Sequence, residues 1–373
     1  MAGFAVNTLA VQDRIHMQRA LRLAALGLYT TTPNPRVGCV IVRDGEVVGE
    51  GWHIRAGEPH AEVHALRMAG GAARGATAYV TLEPCSHHGR TPPCADALVS
   101  AGVARVVAAM TDPNPQVAGR GLAGLAAAGI DTASGILEAE ARELNVGFIS
   151  RMLRGRPWTR IKLAASLDGR IALDDGQSKW ITGAAARADV QRWRARSCAM
   201  LTSVETVLAD DARLTVRDFA VERQPLRVVV DSRLRTPADA ALLQTKGVLI
   251  AAAVDGPQRA ALEAAGAEVL LLPGGDGRVD LAALLAQLGS RGISELTVEA
   301  GGVLAGSLLQ AGLADELLLY QAPVLVGRGR AMLDFSLASL AERYAPRVIE
   351  RRSVGDDLRW TLRFTDPAQA FRA

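Results

Sequence analysis

Between residues 60 and 94 the chain gathers His60-Ala61-Glu62, Glu83-Pro84-Cys85 and Thr91-Pro92-Pro93-Cys94. Together they offer one imidazole, two thiols and a carboxylate that need not bind metal. Three protein ligands leave the fourth tetrahedral position of a zinc ion open, which separates a catalytic zinc from a closed structural one. Water at that position has a pKa of about 7 and yields hydroxide at neutral pH. Glu62, two residues beyond His60, can take up that proton and deliver it to a departing amine. With His60, Cys85 and Cys94 as ligands and Glu62 as proton carrier, this is the inventory a zinc deaminase requires.

Blander readings account for each residue alone. Cys85 and Cys94 could form a disulfide, or pack as small buried residues beside a satisfied histidine. The combination favours the metal. One departure stands out: a zinc deaminase usually reads Pro-Cys-any-any-Cys, whereas eight residues, Ser86 to Pro93, separate the two thiols here. Spacing alone leaves open whether this is a failed match or the mark of a subfamily.

The elements that must position these groups alternate. Asp13 to Gly27 reads as a helix with Asp13 at its N-cap and Gly27 as its stop. Val37 to Val42 and Glu46 to Glu50 read as a hairpin turned at Asp44-Gly45. His60 to Met68 and Cys94 to Ala101 read as short helices, Ala76 to Leu82 and Val103 to Met110 as strands. Two ligands therefore sit at helix starts and Cys85 lies just past a strand end. Helix N-termini favour thiolate over thiol.

At 373 residues the chain is long enough for two domains. A break falls at Arg151 to Trp158, which places the domains at 1–152 and 153–373. Beyond it, strand-like runs recur at Thr159 to Ala164, Arg227 to Val230, Val248 to Ala253, Glu268 to Leu272, Glu295 to Val298 and Glu316 to Pro323. Helical patterns separate most of them, so a largely parallel α/β sheet is expected.

Polar clusters fall where such a sheet would place a ligand. Lys162 lies in the first strand and Glu299-Ala300-Gly301-Gly302 follows a later one. A glycine pair between strand and helix can cradle phosphate on free N–H groups, though this spacing is not the Rossmann pattern. Ser178 to Thr182 precedes a helix bearing Arg194, and Thr206 to Arg217 is expected as a loop pairing two aspartates with two arginines. Only three lysines stand against 39 arginines. Lys162 and Lys179 are thus conspicuous, since arginine cannot replace a compact, titratable ammonium.

Composition narrows the partners. Net charge is +3 and aromatics are 4%, with no Lys/Arg-rich run, which argues against an extended nucleic-acid groove. The longest stretch without formal charge, Ala300 to Ala314, is too short and polar to span a bilayer. No basic-then-apolar leader is evident, and four cysteines suit a reducing cytoplasm. Small phosphorylated ligands fit this balance, and assembly into a homo-oligomer is compatible with it.

Taken together these residues resemble the RibD family, in which a pyrimidine deaminase is fused to a pyrimidine reductase of riboflavin biosynthesis. Pro33-Asn34-Pro35-Arg36-Val37-Gly38, His60-Ala61-Glu62 and Pro84 to Cys94 look like its deaminase motifs, and the long cysteine spacing is what that family shows. Lys162 to Arg170, Ser178 to Thr182, Thr206 to Arg217 and Glu299 to Gly306 look like its reductase motifs. The resemblance implies a cytidine-deaminase-like N-terminal domain followed by a dihydrofolate-reductase-like C-terminal domain. It implies zinc and NADPH as cofactors and 2,5-diamino-6-ribosylamino-4(3H)-pyrimidinone 5′-phosphate as the deaminase substrate. Asn34 and His53 would contact the pyrimidine, with His87 and Arg90 on the ribosyl phosphate. Ala164, Trp180, Thr206, Asp210, Ser232, Gly301 and Gly302 would line the NADPH site. Ser178, Arg194, Leu214, Arg217 and Glu299 would hold the reductase substrate, and Lys162 with Asp210 would polarise the reacting centre. Two rivals compete: a nucleoside or tRNA deaminase with an unrelated C-terminal domain, and a zinc-stabilised binding module using His64, His87 or His88 as a fourth ligand.

Overall fold

The structure is a computed structural model that describes residues 2–86, 93–114 and 117–365, with side chains from residue 11 onward. It divides into one compact unit running through Arg154 and another beginning at Gly155. No helix among the described residues is long and apolar enough to cross a membrane.

The first unit opens with helix α1 (Ala2–Leu26), then β1 (Gly38–Arg43), β2 (Glu46–Trp52), α2 (Ala61–Ala69) and β3 (Thr77–Val80). It continues through α3 (Cys94–Ala101), β4 (Arg105–Ala108), α4 (Arg120–Ala127), β5 (Asp131–Ser134), α5 (Glu138–Leu144) and α6 (Val146–Arg154). The sheet order is β2-β1-β3-β4-β5, antiparallel through β1 and parallel from β3 onward. Asp44 and Gly45 both take positive φ, 53° and 85°, the geometry of a two-residue hairpin turn whose twist matches the strands. The helix expected from Asp13 begins instead at Ala2. No proline precedes residue 13, and the Asp13 carboxylate is not used as a cap. It accepts from Tyr79 Oη at 2.6 Å and from both Arg105 terminal nitrogens at 2.8 and 2.9 Å.

Helix α2 lies unusually close to β2 because both surfaces are small. Ala61, Ala65 and Ala69 recur every fourth residue on its buried face. They meet Gly49 and Gly51 on the strand. A Cβ at Gly51 would stand 2.5 Å from His64 Cβ and 2.8 Å from the Ala61 carbonyl oxygen. That approach fixes the helix start, and with it His60 and Glu62, against the sheet.

The second unit contains β6 (Trp158–Ala165), β7 (Arg170–Ala172), α7 (Ala184–Arg196), β8 (Ala199–Ser203), α8 (Val204–Asp210), β9 (Leu226–Val230), β10 (Val248–Ala252) and α9 (Gln258–Ala264). Then follow β11 (Ala267–Leu271), α10 (Leu281–Ser290), β12 (Glu295–Val298), α11 (Gly302–Gln310), β13 (Glu316–Gln321), β14 (Arg330–Ala331), β15 (Arg347–Val354) and β16 (Asp357–Arg363). Nine strands form one sheet in the order β11-β10-β9-β8-β12-β6-β13-β16-β15. Pairing is parallel from β11 to β13, and β16 then pairs antiparallel with both β13 and β15. Strand β12 returns to sit between β8 and β6, so the chain reverses direction there. A crevice opens at such a reversal, outside the carboxyl ends of the strands. The core beneath it includes Leu163, Leu201, Val228, Leu249, Val298 and Leu308.

The expected loop from Thr206 is corrected by α8, which carries both Thr206 and Asp210. Ser203 caps this helix, its side chain accepting from Thr206 N. The two expected aspartates also find other partners: Asp210 pairs with Lys179 at 3.1 Å, and Asp211 Oδ1 accepts from Ala241 N at 2.7 Å.

Gly51→Ala should destabilise the first unit by about 1–3 kcal/mol by overpacking the α2–β2 contact. Chemical denaturation checks this: an unchanged midpoint would show that the helix has room to move.

Candidate active sites

In the first unit the two helix starts and the strand end converge. His60 is the N-cap of α2 and Cys94 the first residue of α3. His60 Nδ1 lies 3.6 Å from Cys85 Sγ and 3.3 Å from Cys94 Sγ. All three ligand atoms fall within 4.8 Å of one another. The Cys94 backbone N–H also donates to Cys85 Sγ at 3.3 Å. Hydrogen bonds from the Cys94 thiol and from His60 pull the Cys85 thiol well below the usual thiol range. No cysteine is in a disulfide, which removes that reading of Cys85 and Cys94.

Glu62 stands beside this cluster, 3% exposed, and its Oε2 is buried without a hydrogen-bond partner. Burial pushes its carboxyl above the usual range, opposed by the charge of His60. A buried acid with one oxygen unclaimed and a soft, three-donor ligand set fit a zinc ion with an adjacent proton carrier. Among the described residues the group holds no fourth protein ligand: His64 lies outside it, its Nε2 buried and unpartnered.

Asn34 Nδ2 and His53 Nε2 are 3.0 Å apart, and His53 Nδ1 is 3.2 Å from the Pro59 carbonyl. Burial lowers the His53 pKa. A neutral ring donating from Nδ1 and accepting at Nε2 satisfies both contacts. The loop before β1 is anchored from far along the chain. Asn145, 1% exposed, accepts from Arg36 N at 2.8 Å and donates to Arg36 O at 2.9 Å. Sequence reasoning missed Asn145; a lone asparagine 109 positions away carries no local signal. His87 and Arg90 lie outside the described residues, as does His88.

In the second unit one cleft of about 1480 Å³ brings together every expected residue of that half. Lys162 and Ala164 enter from β6, Ser178 and Trp180 from the segment before α7, and Arg194 from α7 itself. Thr206 and Asp210 come from α8, Leu214 and Arg217 from the loop after it, Ser232 from the end of β9. Glu299, Gly301 and Gly302 close the wall after β12. A Cβ at Gly301 would meet no protein atom within 4 Å, whereas one at Gly302 would strike the Ala331 carbonyl at 2.6 Å. Gly302 thus serves packing, and Gly301 leaves backbone open to the cleft. An open backbone at a helix start suits a phosphate-bearing dinucleotide.

Charge in this cleft centres on a clamp. Arg194 donates to Glu299 with Nε and Nη2, both at 2.8 Å, and its Nη1 reaches the Thr215 carbonyl at 3.0 Å. Burial alone would raise the Glu299 carboxyl; Arg194, with Lys162 and Arg217, holds it at about 2. Lys162 is pushed the other way. Burial lowers its pKa, Glu299 opposes that and Arg194 adds to it. Its Nζ lies 6.0 Å from the centre of the Tyr320 ring. Asp210 lines the same cleft and pairs there with the compact ammonium of Lys179. Tyr320 was not anticipated. It pairs in register with Ala164 across β6 and β13, and its hydroxyl donates to Asp189 at 2.7 Å.

Family comparison agrees with both halves. Residues 10–110 match the cytidine and deoxycytidylate deaminase zinc-binding region, and residues 157–346 match the RibD C-terminal domain. The riboflavin biosynthesis protein RibD of Escherichia coli is 54% identical over 363 residues, covering 93% of this chain and 98% of that one. The chain belongs to the RibD family. RibD of Haemophilus influenzae is 48% identical, covering 94% and 97% of the two chains. A crystal form of Acinetobacter baumannii RibD superposes with a TM-score of 0.90 at 46% identity, over 96% of this chain and all of that one. A Thermotoga maritima diaminohydroxyphosphoribosylaminopyrimidine deaminase/5-amino-6-(5-phosphoribosylamino)uracil reductase gives 0.85 at 31%, over 95% and 99%. RibD enzymes join a zinc-dependent deaminase to an NADPH-dependent reductase in riboflavin biosynthesis, and this chain is such a bifunctional enzyme. The match spans both halves, so the C-terminal domain is no unrelated appendage.

Cys85→Ser should drop bound zinc well below one ion per chain, measured by elemental analysis after gel filtration. A full metal complement would refute Cys85 as a ligand.

Proposed function

We propose that residues 1–152 deaminate 2,5-diamino-6-ribosylamino-4(3H)-pyrimidinone 5′-phosphate and that residues 153–373 reduce the ribosyl side chain of the product to ribityl. The observation that carries the first step is the buried, unpartnered Glu62 Oε2 beside three converging ligand atoms. His60, Cys85 and Cys94 would hold the zinc. When bound, zinc supplies a water acidic enough to give hydroxide near neutral pH. Glu62 takes up a proton at Oε2 and returns it to the departing amino nitrogen, which leaves as ammonia. Its raised pKa suits both halves of that shuttle, because acid and base forms must each be accessible. Asn34 and His53, hydrogen-bonded to each other, contact the pyrimidine, and His87 and Arg90 take the ribosyl phosphate.

In the second half, Ala164, Trp180, Thr206, Asp210, Ser232, Gly301 and Gly302 hold NADPH, which when bound supplies a hydride. Ser178, Arg194, Leu214, Arg217 and Glu299 hold the substrate. Lys162 lines the cleft, and among the described residues no carboxylate forms an ion pair with its ammonium. With Asp210 it polarises the reacting centre. Hydride transfer needs orientation and electrostatics above a dedicated acid, which is what the clamp and the lysine provide. The cofactor and substrate are small molecules. The chain's weak net charge and few aromatics support the absence of a nucleic-acid partner, and its four free cysteines support a cytoplasmic location.

Two variants separate the steps. Glu62→Gln should abolish ammonia release while zinc content and reduction persist; wild-type ammonia release would remove Glu62 from the mechanism. Lys162→Ala should cut NADPH oxidation at least about tenfold, equivalent to 1.4 kcal/mol of transition-state stabilisation, with deamination intact. Unchanged reduction would take Lys162 out of the site.

A further inference from the structure

The strand end that carries Cys85 begins with a carboxylate that touches neither substrate nor metal in the scheme above. Glu83 is 3% exposed. Its Oε1 accepts from Gly121 N at 2.8 Å and Leu122 N at 3.2 Å. Its Oε2 accepts from Gly119 N at 2.9 Å and Asp112 N at 3.0 Å. Four backbone N–H groups, three of them at the start of α4, converge on one side chain. Such orphan donors at a buried helix start must find acceptors.

A second contact presses the same two segments together. A Cβ at Gly121 would stand 2.0 Å from the Pro84 carbonyl oxygen, so the first turn of α4 lies directly on the backbone preceding Cys85. From Cys85 the constraint passes onward. Its carbonyl accepts from Ala95 N at 3.2 Å and its sulfur from Cys94 N at 3.3 Å.

We propose that Glu83 is the positioning residue of the metal site: by tying the segment that follows β3 to the start of α4, it sets where the Cys85 sulfur stands and, through it, Cys94. The inference rests on the zinc reading of His60, Cys85 and Cys94. The chemistry requires a group that only accepts. A carboxylate presents about four lone-pair sites on two oxygens, one for each donor here. A glutamine at this position keeps one acceptor oxygen and turns an NH₂ toward two N–H groups. Aspartate keeps both oxygens but draws them back by one methylene.

The test uses the full chain, stripped of metal and titrated with zinc against a chromophoric chelator, then with Co²⁺ as a spectroscopic substitute. Glu83→Gln should weaken zinc binding by about 10–100-fold, the range typical of residues supporting metal ligands. The thiolate-to-cobalt absorption should shift, NADPH-dependent reduction should be unchanged, and Glu83→Asp should recover part of the affinity. Wild-type zinc affinity and an unaltered cobalt spectrum in Glu83→Gln overturn the proposal, even if thermal stability falls. Should Glu83→Gln fail to fold, Gly121→Ala reads the same displacement from the other side of Pro84, and unchanged affinity there overturns it equally. A wild-type chain that binds no zinc overturns the zinc reading itself and this inference with it.

Discussion

Backbone N–H groups left unpaired where a strand hands over to a helix are the constraint around which both sites are built. At the start of α4 they are satisfied by Glu83, and the satisfaction itself clamps the chain that bears Cys85. At α2 and α3 the same kind of position holds His60 and Cys94, so the donors of the site are fixed by helix starts packed on one sheet. In the second unit, α11 begins at Gly302 with the Gly301 backbone left open to the cleft. Where the protein fills such a junction with its own side chain it gains rigidity, and where it leaves one open it gains room for a ligand.

The two sites then divide by how they treat charge. In the first, burial raises the Glu62 carboxyl and leaves one of its oxygens, Oε2, without a hydrogen-bond partner. In the second, burial with a bidentate partner holds Glu299 ionised at about 2, so that clamp stays charged through the physiological range. Lys162 lies close enough to feel both members of the clamp and is bonded to neither, leaving its ammonium free for a ligand. One chain thus runs proton shuttling and hydride transfer with different electrostatic strategies.

Much of this was legible from residue order. The metal set could be read because its members carry rare, chemically specific side chains close in sequence. The hairpin at Asp44-Gly45 was legible because only a few residue pairs tolerate positive φ twice. Apolar runs gave the parallel strands nearly residue for residue at Glu295–Val298 and Cys94–Ala101 gave α3. What failed to show were features set by distant partners. Asp13 looked like a cap, but Tyr79 and Arg105, 66 and 92 positions away, claim its carboxylate. Lys179 was read only as a ligand-facing cation, and folding pairs it with Asp210. Strand β8, Ala199–Ser203, has too short and mixed a run to stand out, yet it lies between β9 and β12 and helps open the crevice.

The central claim is that one chain performs two consecutive reactions on one phosphorylated pyrimidine. A single mixture of purified protein, the diaminopyrimidinone phosphate and NADPH tests it most directly, with ammonia and NADPH followed together. Ammonia release that precedes an equal amount of NADPH oxidation is the predicted result. Ammonia without NADPH oxidation, or neither signal from zinc-loaded protein, would contradict the account.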